Sequence, residues 1–203
     1  MEPHRIFLLS PAYTGGKRGQ LLLREAAAFD LALRVRSAGG APLGEVFSFL
    51  SGLYFRGKLA YARAFARPPA GAPGVLVITP TRGLVHPEAR VRIDDLHEMA
   101  AGDVDAANPV YRLPLERDAV ALASTDPAME VVLLGSIASG KYVDVLGAVF
   151  GPLLLFPAEF VGRGDMSRGG LLLRHADTGV ELDCVPVMGA VRRGARPPKL
   201  APR

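Results

Sequence analysis

The side chains best suited to chemistry follow two apolar segments between residues 130 and 173. The later polar stretch, GRGDMSRGG at 162–170, reads as a glycine-rich loop after a buried strand. It carries Arg163, Asp165, Ser167 and Arg168. Arginine binds phosphate or carboxylate groups through paired hydrogen bonds, and Asp165 is the best-placed carboxylate for a general base. The alternative is a flexible loop without a function.

A second polar loop, GSIASGK at 135–141, spells G-x-x-x-x-G-K between a predicted strand and a predicted helix. In phosphate-binding loops this pattern holds phosphate with backbone N–H groups and a lysine. Tyr142 stands where a serine or threonine would hold a magnesium ion, which argues against hydrolysis of a nucleoside triphosphate. We therefore expect Gly135, Ser136 and Lys141 to bind an anion or a nucleobase.

A similar arrangement occurs near the N-terminus, where SPAYTGGKRG follows the apolar segment 5–9. A helix is predicted over about 20–37, so the positive end of its dipole would face this basic, glycine-rich loop. Ser10, Lys17 and Arg18 are predicted to bind the ligand, and Lys17 is also a candidate catalytic residue. The dinucleotide fingerprint G-x-G-x-x-G is absent. An ordinary strand-to-helix turn is the alternative.

The segment 45–66 has apolar residues at helical spacing, and Gly52 and Gly57 predict either two helices or a kink. Aromatic and basic residues lie beside this break, where they would stack on a base and hold a phosphate. They are Tyr54, Arg56 and Lys58. The alternative is a core tyrosine with exposed basic neighbours.

Arg82 follows the next predicted strand, 75–80, and completes the set of predicted ligand-binding residues. The acids and the histidine of 93–101 are interpreted as a solvated helix face, since adjacent Asp94 and Asp95 point to different faces. We expect no metal ion and no cofactor. The sequence has no G-x-S-x-G elbow and its histidines are scattered, which does not support a Ser-His-Asp nucleophile.

Apolar runs predict buried strands at 5–9, 75–80, 130–134 and in LLLFPAEF, with helical segments between them that include 93–101 and 115–124. The runs at 171–174 and 180–187 read as a hairpin whose turn lies at 177–179. This order of elements predicts an α/β fold. Its mainly parallel sheet would carry helices on both faces, in three layers.

The chain has 203 residues, enough for one domain with a large core. The net charge is +4, but the last twelve residues hold five basic residues and no acid, so residues 1–191 sum to −1. We predict one α/β domain over 1–190 and a basic, Pro- and Gly-rich tail over 191–203. Such a tail suits a phosphate backbone, and a solvated end is the alternative.

The lone cysteine, Cys184, cannot form a disulfide within the chain, which fits a reducing, cytoplasmic setting. No segment reaches the roughly 18 apolar residues that cross a bilayer, so we expect no membrane association. The sequence does not indicate the oligomeric state.

Three of these segments together resemble a widespread, uncharacterised bacterial domain family: LLSPAYTGGKRG, LYFRGKLAYA and VLVITPTRGLVHPEARV. The first is also similar to the core-domain loop of archaeosine synthase, a tRNA-modifying amidinotransferase, in which Ser10 and Lys17 would match a serine and a lysine. The cysteine of that loop is absent here. The order of the loops resembles the uracil-DNA glycosylase-like fold, with Phe156 of LLFPAEF in place of that superfamily's histidine. The resemblance therefore implies a glycosylase-like topology and not glycosylase chemistry.

These observations lead to the hypothesis of an enzyme that acts on a nucleobase or a nucleotide, free or within RNA or DNA. Phosphate would be held by Lys17, Arg163 and Arg168, and the base or sugar by Ser10 and Ser136, with Asp165 as the base. Two alternatives stay open, a non-catalytic nucleic-acid-binding module and a small-molecule hydrolase or transferase. All three need anion-binding loops at strand ends.

Overall fold

The computed structural model describes residues 3–198 and 200, which adopt an α/β fold. The strands are β1 Arg5–Leu9, β2 Ala41–Pro42, β3 Val75–Thr79, β4 Gly83–Val85, β5 Arg90–Val91, β6 Glu130–Leu134, β7 Leu154–Pro157 and β8 Cys184–Pro186. The helices are α1 Lys17–Leu23, α2 Asp30–Arg36, α3 Leu43–Ser51, α4 Leu53–Phe65, α5 Ile93–Ala101, α6 Pro109–Ala123, α7 Gly140–Phe150 and α8 Asp165–Thr178.

The central sheet has six strands in the order β4-β3-β1-β6-β7-β8. The four inner strands are parallel, and the edge strands β4 and β8 run antiparallel to their neighbours. Strand β1 lies inside the sheet, and its residues from Ile6 to Leu9 are fully buried. A continuous apolar run is typical of a parallel strand that is covered on both faces. Strands β2 and β5 form a separate antiparallel pair.

Helices cover both faces of the sheet, as the sequence predicts. Helices α4 and α8 pack together, with α4 against β1 and β3. Helices α6 and α7 form a second pair, with α6 against β3 and β4 and α7 against β7. The predicted three-layer α/β class is confirmed.

Helices α4 and α8 approach each other through two glycines. A Cβ at Gly57 would lie 2.6 Å from the Gly169 carbonyl oxygen, and a Cβ at Gly169 would lie 2.8 Å from the Tyr54 Cα. Neither position has room for a side chain. Gly57 therefore serves the contact between helices and does not interrupt α4, which is contrary to one of our expectations for 45–66.

The predicted break within 45–66 is confirmed at Gly52, whose φ of +61° and ψ of −126° separate α3 from α4. The single helix predicted over 20–37 is wrong, because α1 ends at Leu23 and α2 begins at Asp30. The Arg36 side chain donates to the Leu22 carbonyl at 3.1 Å and also to the Arg24 carbonyl, which stabilises the end of α1.

The glycine-rich loop predicted at 162–170 is wrong for most of its length, because α8 begins at Asp165. The hairpin predicted from 171–174 and 180–187 is also wrong. Residues 171–174 lie within α8, and β8 pairs with β7. Packing of Gly169 against α4 outweighs the low helix propensity of glycine, and an acid in the first turn favours this helix start.

The described part of the predicted tail contacts the body of the protein. Residues 194 and 195 pack against Val161 and Gly162, and Leu200 lies near Gly170. Residues 199 and 201–203 lie outside the described part of the chain. Within 3–198 and 200, no helix combines the length and the apolar character needed to span a bilayer.

Candidate active site

The carboxyl ends of β1 and β6 lie side by side, since Leu9 pairs with Leu134. The residues that follow, Ser10 and Gly135, are therefore neighbours, and the Ser10 N–H donates to the Leu134 carbonyl at 3.2 Å. A Cβ at position 135 would lie 3.0 Å from the Ser10 Cβ, so the glycine leaves room for the serine side chain. Open α/β sheets bind their ligands at such strand ends.

A cleft of about 1290 Å³ opens at these strand ends. Its walls come from the loop after β1, from helices α1 to α3, and from the first turns of α4, α7 and α8. Several separate segments of the chain bring predicted site residues to this cleft. The predicted residues that line it are Ser10, Lys17, Arg18, Arg56, Ser136, Lys141 and Asp165.

Beneath Ser10 lies the side chain of Lys58. The Lys58 Nζ donates to the Ser10 carbonyl oxygen at 2.5 Å and lies 2.9 Å from the Ser10 Oγ. Lys58 is 1% exposed and Ser10 is 6% exposed. Of the two residues only Ser10 lines the cleft, so the serine side chain separates the amine from the ligand space.

Aromatic rings surround the Lys58 amine. Its Nζ lies 4.5 Å from the centre of the Tyr54 ring and 4.8 Å from the centre of the Phe55 ring. Burial lowers the pKa of Lys58 to about 7, although the charge of Asp165 raises it in part. Two cations lower it further, Arg168 and Lys141. A substantial fraction of the Lys58 side chains is therefore unprotonated at neutral pH.

Two buried tyrosines line the same cleft. Burial raises the pKa of Tyr142, and the nearby Ser10 side chain offsets part of that rise. Burial likewise raises the pKa of Tyr54 to about 12. Within the described chain, the Tyr54 hydroxyl has no hydrogen-bond partner of ordinary geometry. The charge of nearby Arg168 lowers the Tyr54 pKa, but by less than burial raises it. Both hydroxyls stay protonated at neutral pH and are hydrogen-bond donors.

Four basic side chains of the cleft are not neutralised by a carboxylate. Among residues 3–198 and 200, they are Lys17, Arg18, Arg56 and Lys141. The Arg18 Nη1 donates to the Phe49 carbonyl at 2.9 Å, and this neutral acceptor leaves the charge of Arg18 in place. By contrast, Arg34 pairs with Asp30 and Glu45. The four unpaired cations give the cleft its capacity for anions.

Aromatic rings lie beside these cations. Tyr13 is 80% exposed at the cleft, and Phe29 stacks on Phe49 with the ring centres 5.3 Å apart. Flat rings beside unpaired cations suit a planar base that carries phosphate.

Six predicted ligand-binding residues do not line the cleft. Two of them, Gly135 and Lys58, lie against Ser10, and the other four are engaged elsewhere in the protein. The Arg82 Nη2 lies 2.7 Å from the Asp95 carboxylate, and Arg82 also pairs with Glu98. The other three belong to the start of α8 and face the segment after β7. They are Arg163, Ser167 and Arg168.

These arginines use their donors within the protein. The Arg163 Nε donates to the Glu159 carbonyl at 3.0 Å and its Nη1 to the Ser167 Oγ at 3.3 Å. The Arg168 Nη2 donates to the Phe160 carbonyl at 3.0 Å. Because α8 begins at Asp165, Arg168 lies on the helix and Arg163 lies two residues before it.

The two predicted catalytic residues, Lys17 and Asp165, both lie at the rim of the cleft. Lys17 is exposed at the first position of α1. The Asp165 side chain is 71% exposed, and its carboxylate lies 3.8 Å from the Arg168 Nη1.

Sequence reasoning placed Lys58 beside Tyr54 and Arg56 at a helix break, as a phosphate ligand. The structure instead places all three within α4, with Tyr54 and Lys58 on its buried face and Arg56 exposed. One signal was available in the sequence. Lys58 occupies a position of the apolar repeat that continues through Ala62 and Phe65.

Within the part of the chain that the structure describes, no three His, Cys, Asp or Glu side chains are grouped so as to hold a metal ion. Comparison of the chain with models of protein families, with curated proteins and with solved structures finds no match.

Proposed function

We propose that this protein is an enzyme that acts on a nucleobase or a nucleotide, with the cleft at the ends of β1 and β6 as its active site. One observation carries the proposal. Lys17, Arg56 and Lys141 form no ion pair within the described chain, and they line a cleft that also contains Ser10 and the exposed ring of Tyr13.

The chemistry of the cleft favours a nucleotide over a simple anion. Phosphate oxygens are attracted to unpaired ammonium and guanidinium groups, and the face of a base stacks on exposed rings such as Tyr13. Pockets for small molecules commonly measure about 300 to 1,000 Å³. A cleft of about 1290 Å³ therefore has room for a nucleotide and for a neighbouring unit of an oligonucleotide.

The buried lysine favours an enzyme over a binding module. Removal of an ammonium group from water costs several kcal/mol unless a counter-charge compensates it. Binding alone does not require such a group beneath the cleft floor, whereas perturbed titratable groups in clefts are common in active sites. The similarity of the loop after β1 to the core-domain loop of a tRNA-modifying enzyme also favours an enzyme.

Nucleic acid is the proposed context of the substrate. Arg192, Arg193 and Arg196 are exposed in the tail, and Arg196 lies beside Met166, which also lines the active-site cleft. A basic segment next to the cleft would contact the backbone of an RNA or DNA strand whose base enters the cleft.

The proposal is tested by titration of the protein with AMP, bulk tRNA and single-stranded DNA across a salt series. The double variant Lys17→Gln, Arg56→Gln is expected to weaken AMP binding by about tenfold or more, because it removes two charge-assisted contacts. Arg117→Gln, an exposed charge on α6 away from the cleft, is the matched control and should bind as the wild type does.

A version that ends at Ala190 separates the cleft from the tail. Binding that survives this truncation and is lost in the double variant supports the cleft as the site. Binding that depends on the tail alone, or equal AMP binding by the double variant and Arg117→Gln, would contradict the proposal.

A further inference from the structure

We infer that Ser10 is a covalent nucleophile and Lys58 its general base, and that together they transfer an acyl group from an ester or amide of a phosphate-bearing substrate. The inference rests on the proposed function for the choice of substrate, since the cations of the same cleft would hold the phosphate. The pairing of the two residues stands on geometry alone.

The geometry presents the hydroxyl to the substrate and keeps the amine behind it. The Ser10 Oγ faces the cleft and lies 2.9 Å from the Lys58 Nζ, which the Ser10 carbonyl holds at 2.5 Å. A neutral amine fits these two contacts. One of its N–H groups donates to the carbonyl, and its lone pair accepts the hydroxyl proton.

The surroundings of Lys58 favour the neutral amine. Its own helix supplies the rings of Tyr54 and Phe55, and no carboxylate contacts the amine within the described chain. Charged and titratable groups face it from two further helices. They are Lys141 and Tyr142 on α7, and Asp165 and Arg168 on α8. Of these only the exposed Asp165 raises the Lys58 pKa, and burial outweighs it.

The acyl group passes first to Ser10 and then to water. The Ser10 Oγ attacks the carbonyl carbon while its proton passes to the Lys58 Nζ, and the carbonyl electron pair moves onto oxygen. The tetrahedral intermediate then re-forms its C=O bond and expels the leaving group, which takes the proton from Lys58. Water, deprotonated by Lys58, attacks the acyl carbon, and the Ser10 oxygen leaves and recovers its proton.

The cleft also supplies donors for the developing oxyanion. The Tyr142 hydroxyl lies near Ser10 and stays protonated because burial raises its pKa. The Lys141 ammonium precedes it in the first turn of α7. Fixed donors beside the reacting carbon stabilise the charge that forms in the transition state. Serine-lysine pairs of this kind activate the nucleophile in acyl transfer.

A structural role for Lys58 is the competing explanation, because the amine also links α4 to the end of β1. The two roles differ in what they require. A structural link works with a charged amine and an inert hydroxyl, whereas catalysis requires Ser10 to react as a nucleophile.

The test is covalent labelling of the full chain with an alkyl fluorophosphonate, followed by intact-mass and peptide mass spectrometry. The expected product is a single adduct on Ser10, in which an Oγ–P bond forms and fluoride leaves. Ser10→Ala should give no adduct. Lys58→Met should label at least about 100-fold more slowly, because a general base usually contributes a factor of this size. Ser124→Ala, an exposed serine at the end of α6 and outside the cleft, should label at the wild-type rate.

A thermal melt shows whether Lys58→Met is folded, and the pH dependence of labelling in the wild type gives a readout that needs no variant. The rate should rise in one step centred near pH 7 and then stay constant. The inference is overturned by an unlabelled wild type, by an adduct on another residue, or by a folded Lys58→Met that labels at the wild-type rate.

The labelling reaction needs no nucleotide, so failure of this inference is distinct from failure of the proposed function. Ser10 labelling without nucleotide binding would leave the serine-lysine pair in place and remove the substrate class. Nucleotide binding without labelling would do the reverse. Protection of Ser10 from the probe by bound AMP would support both.

Discussion

A partly buried cation lies at one end of strand β1 and a fully buried cation at the other, and the two differ in whether carboxylates neutralise them. At the amino end, the Arg5 guanidinium contacts Glu130 and Glu181, each at 2.5 Å, and its side chain is 15% exposed. At the carboxyl end, the hydrogen bonds of the Lys58 amine within the described chain go to the backbone and hydroxyl oxygens of Ser10.

The partners decide the charge. Burial lowers the pKa of both cations, but the hydrogen bonds that Arg5 donates to Glu181 and Glu130, with the charges of these carboxylates, together outweigh burial and raise the Arg5 pKa. No carboxylate does so for Lys58, and its pKa falls to about 7. The amino end is therefore a stabilising ion cluster. The carboxyl end retains a group that exchanges a proton near neutral pH, at the end of the sheet where α/β proteins bind ligands.

Replacement of each cation with methionine tests most directly whether the two differ in their contribution to stability. Arg5→Met is expected to reduce the free energy of unfolding by about 3 kcal/mol, because Glu130 and Glu181 would stay partly buried without a counter-charge. Lys58→Met should lie within about 1 kcal/mol of the wild type, because it removes an uncompensated amine along with two hydrogen bonds. Urea denaturation at pH 7 measures both.

The matched rescue is the triple variant Arg5→Met, Glu130→Gln, Glu181→Gln, which should recover part of the lost stability. An equal loss of stability in Arg5→Met and Lys58→Met would contradict the distinction between the two ends.

A smaller effect is expected where α4 crosses α8, because this contact holds Lys58 against β1. Gly169→Ala would place a Cβ 2.8 Å from the Tyr54 Cα and should cost about 2 kcal/mol through overpacking. Gly170→Ala is the matched control. Its Cβ would meet only the Leu200 side chain at 3.6 Å, so it should be neutral or slightly stabilising.

If the crossing keeps water from Lys58, Gly169→Ala should also move the midpoint of Ser10 labelling to higher pH, since solvation restores the ammonium form. Thermal melts and labelling rates of the two glycine variants check both effects. Equal melting of Gly169→Ala and Gly170→Ala would show that the helices are not in the close contact described.

The pH dependence of stability also distinguishes the two cations, because Arg5 does not titrate in the accessible pH range whereas Lys58 does. The pKa of Lys58 is lowered from 10.5 to about 7 on folding, so between these values the unfolded chain binds a proton that the folded chain does not. Stability therefore rises with pH across this window, by up to about 1.4 kcal/mol per pH unit, and is independent of this group below pH 7.

The difference in unfolding free energy between the wild type and Lys58→Met isolates this contribution, because the other titrating groups are shared. It should move in favour of the wild type between pH 7 and 9. A difference that is constant with pH would mean that Lys58 stays charged in the folded protein.

The sequence was sufficient for the four inner strands of the sheet and insufficient for its edges and for the pair of residues beneath the cleft. Continuous apolar runs such as 5–9 and 130–134 indicate buried parallel strands because the signal is local. The stretch 162–170 misled because glycine carries a poor helix propensity, and only the packing of Gly169 against α4 makes a helix favourable there.

Local sequence signals also predict the residues of the cleft only in part. Strand-end loops identify Ser10, Ser136 and Lys141 as neighbours of a ligand site, because the carboxyl ends of parallel strands meet. The contact between Ser10 and Lys58 joins positions 48 residues apart. No local pattern encodes it. A lysine on the apolar face of α4 was the one visible sign, and it indicates burial without naming the partner.

The smallest expected effect is also the most specific to the carboxyl end of β1. The charge of Asp165 raises the Lys58 pKa and that of Lys141 lowers it. Asp165→Asn should therefore move the midpoint of Ser10 labelling to lower pH, and Lys141→Gln should move it to higher pH. Asp144→Asn, which removes an exposed charge from α7, is the control and should leave the midpoint unchanged. Shifts of opposite sign from the two variants would place the titrating group near both charges, where Lys58 lies. Shifts of the same sign, or none, would assign the pH dependence to another residue. They would contradict the claim that Lys58, unlike Arg5, exchanges a proton near neutral pH.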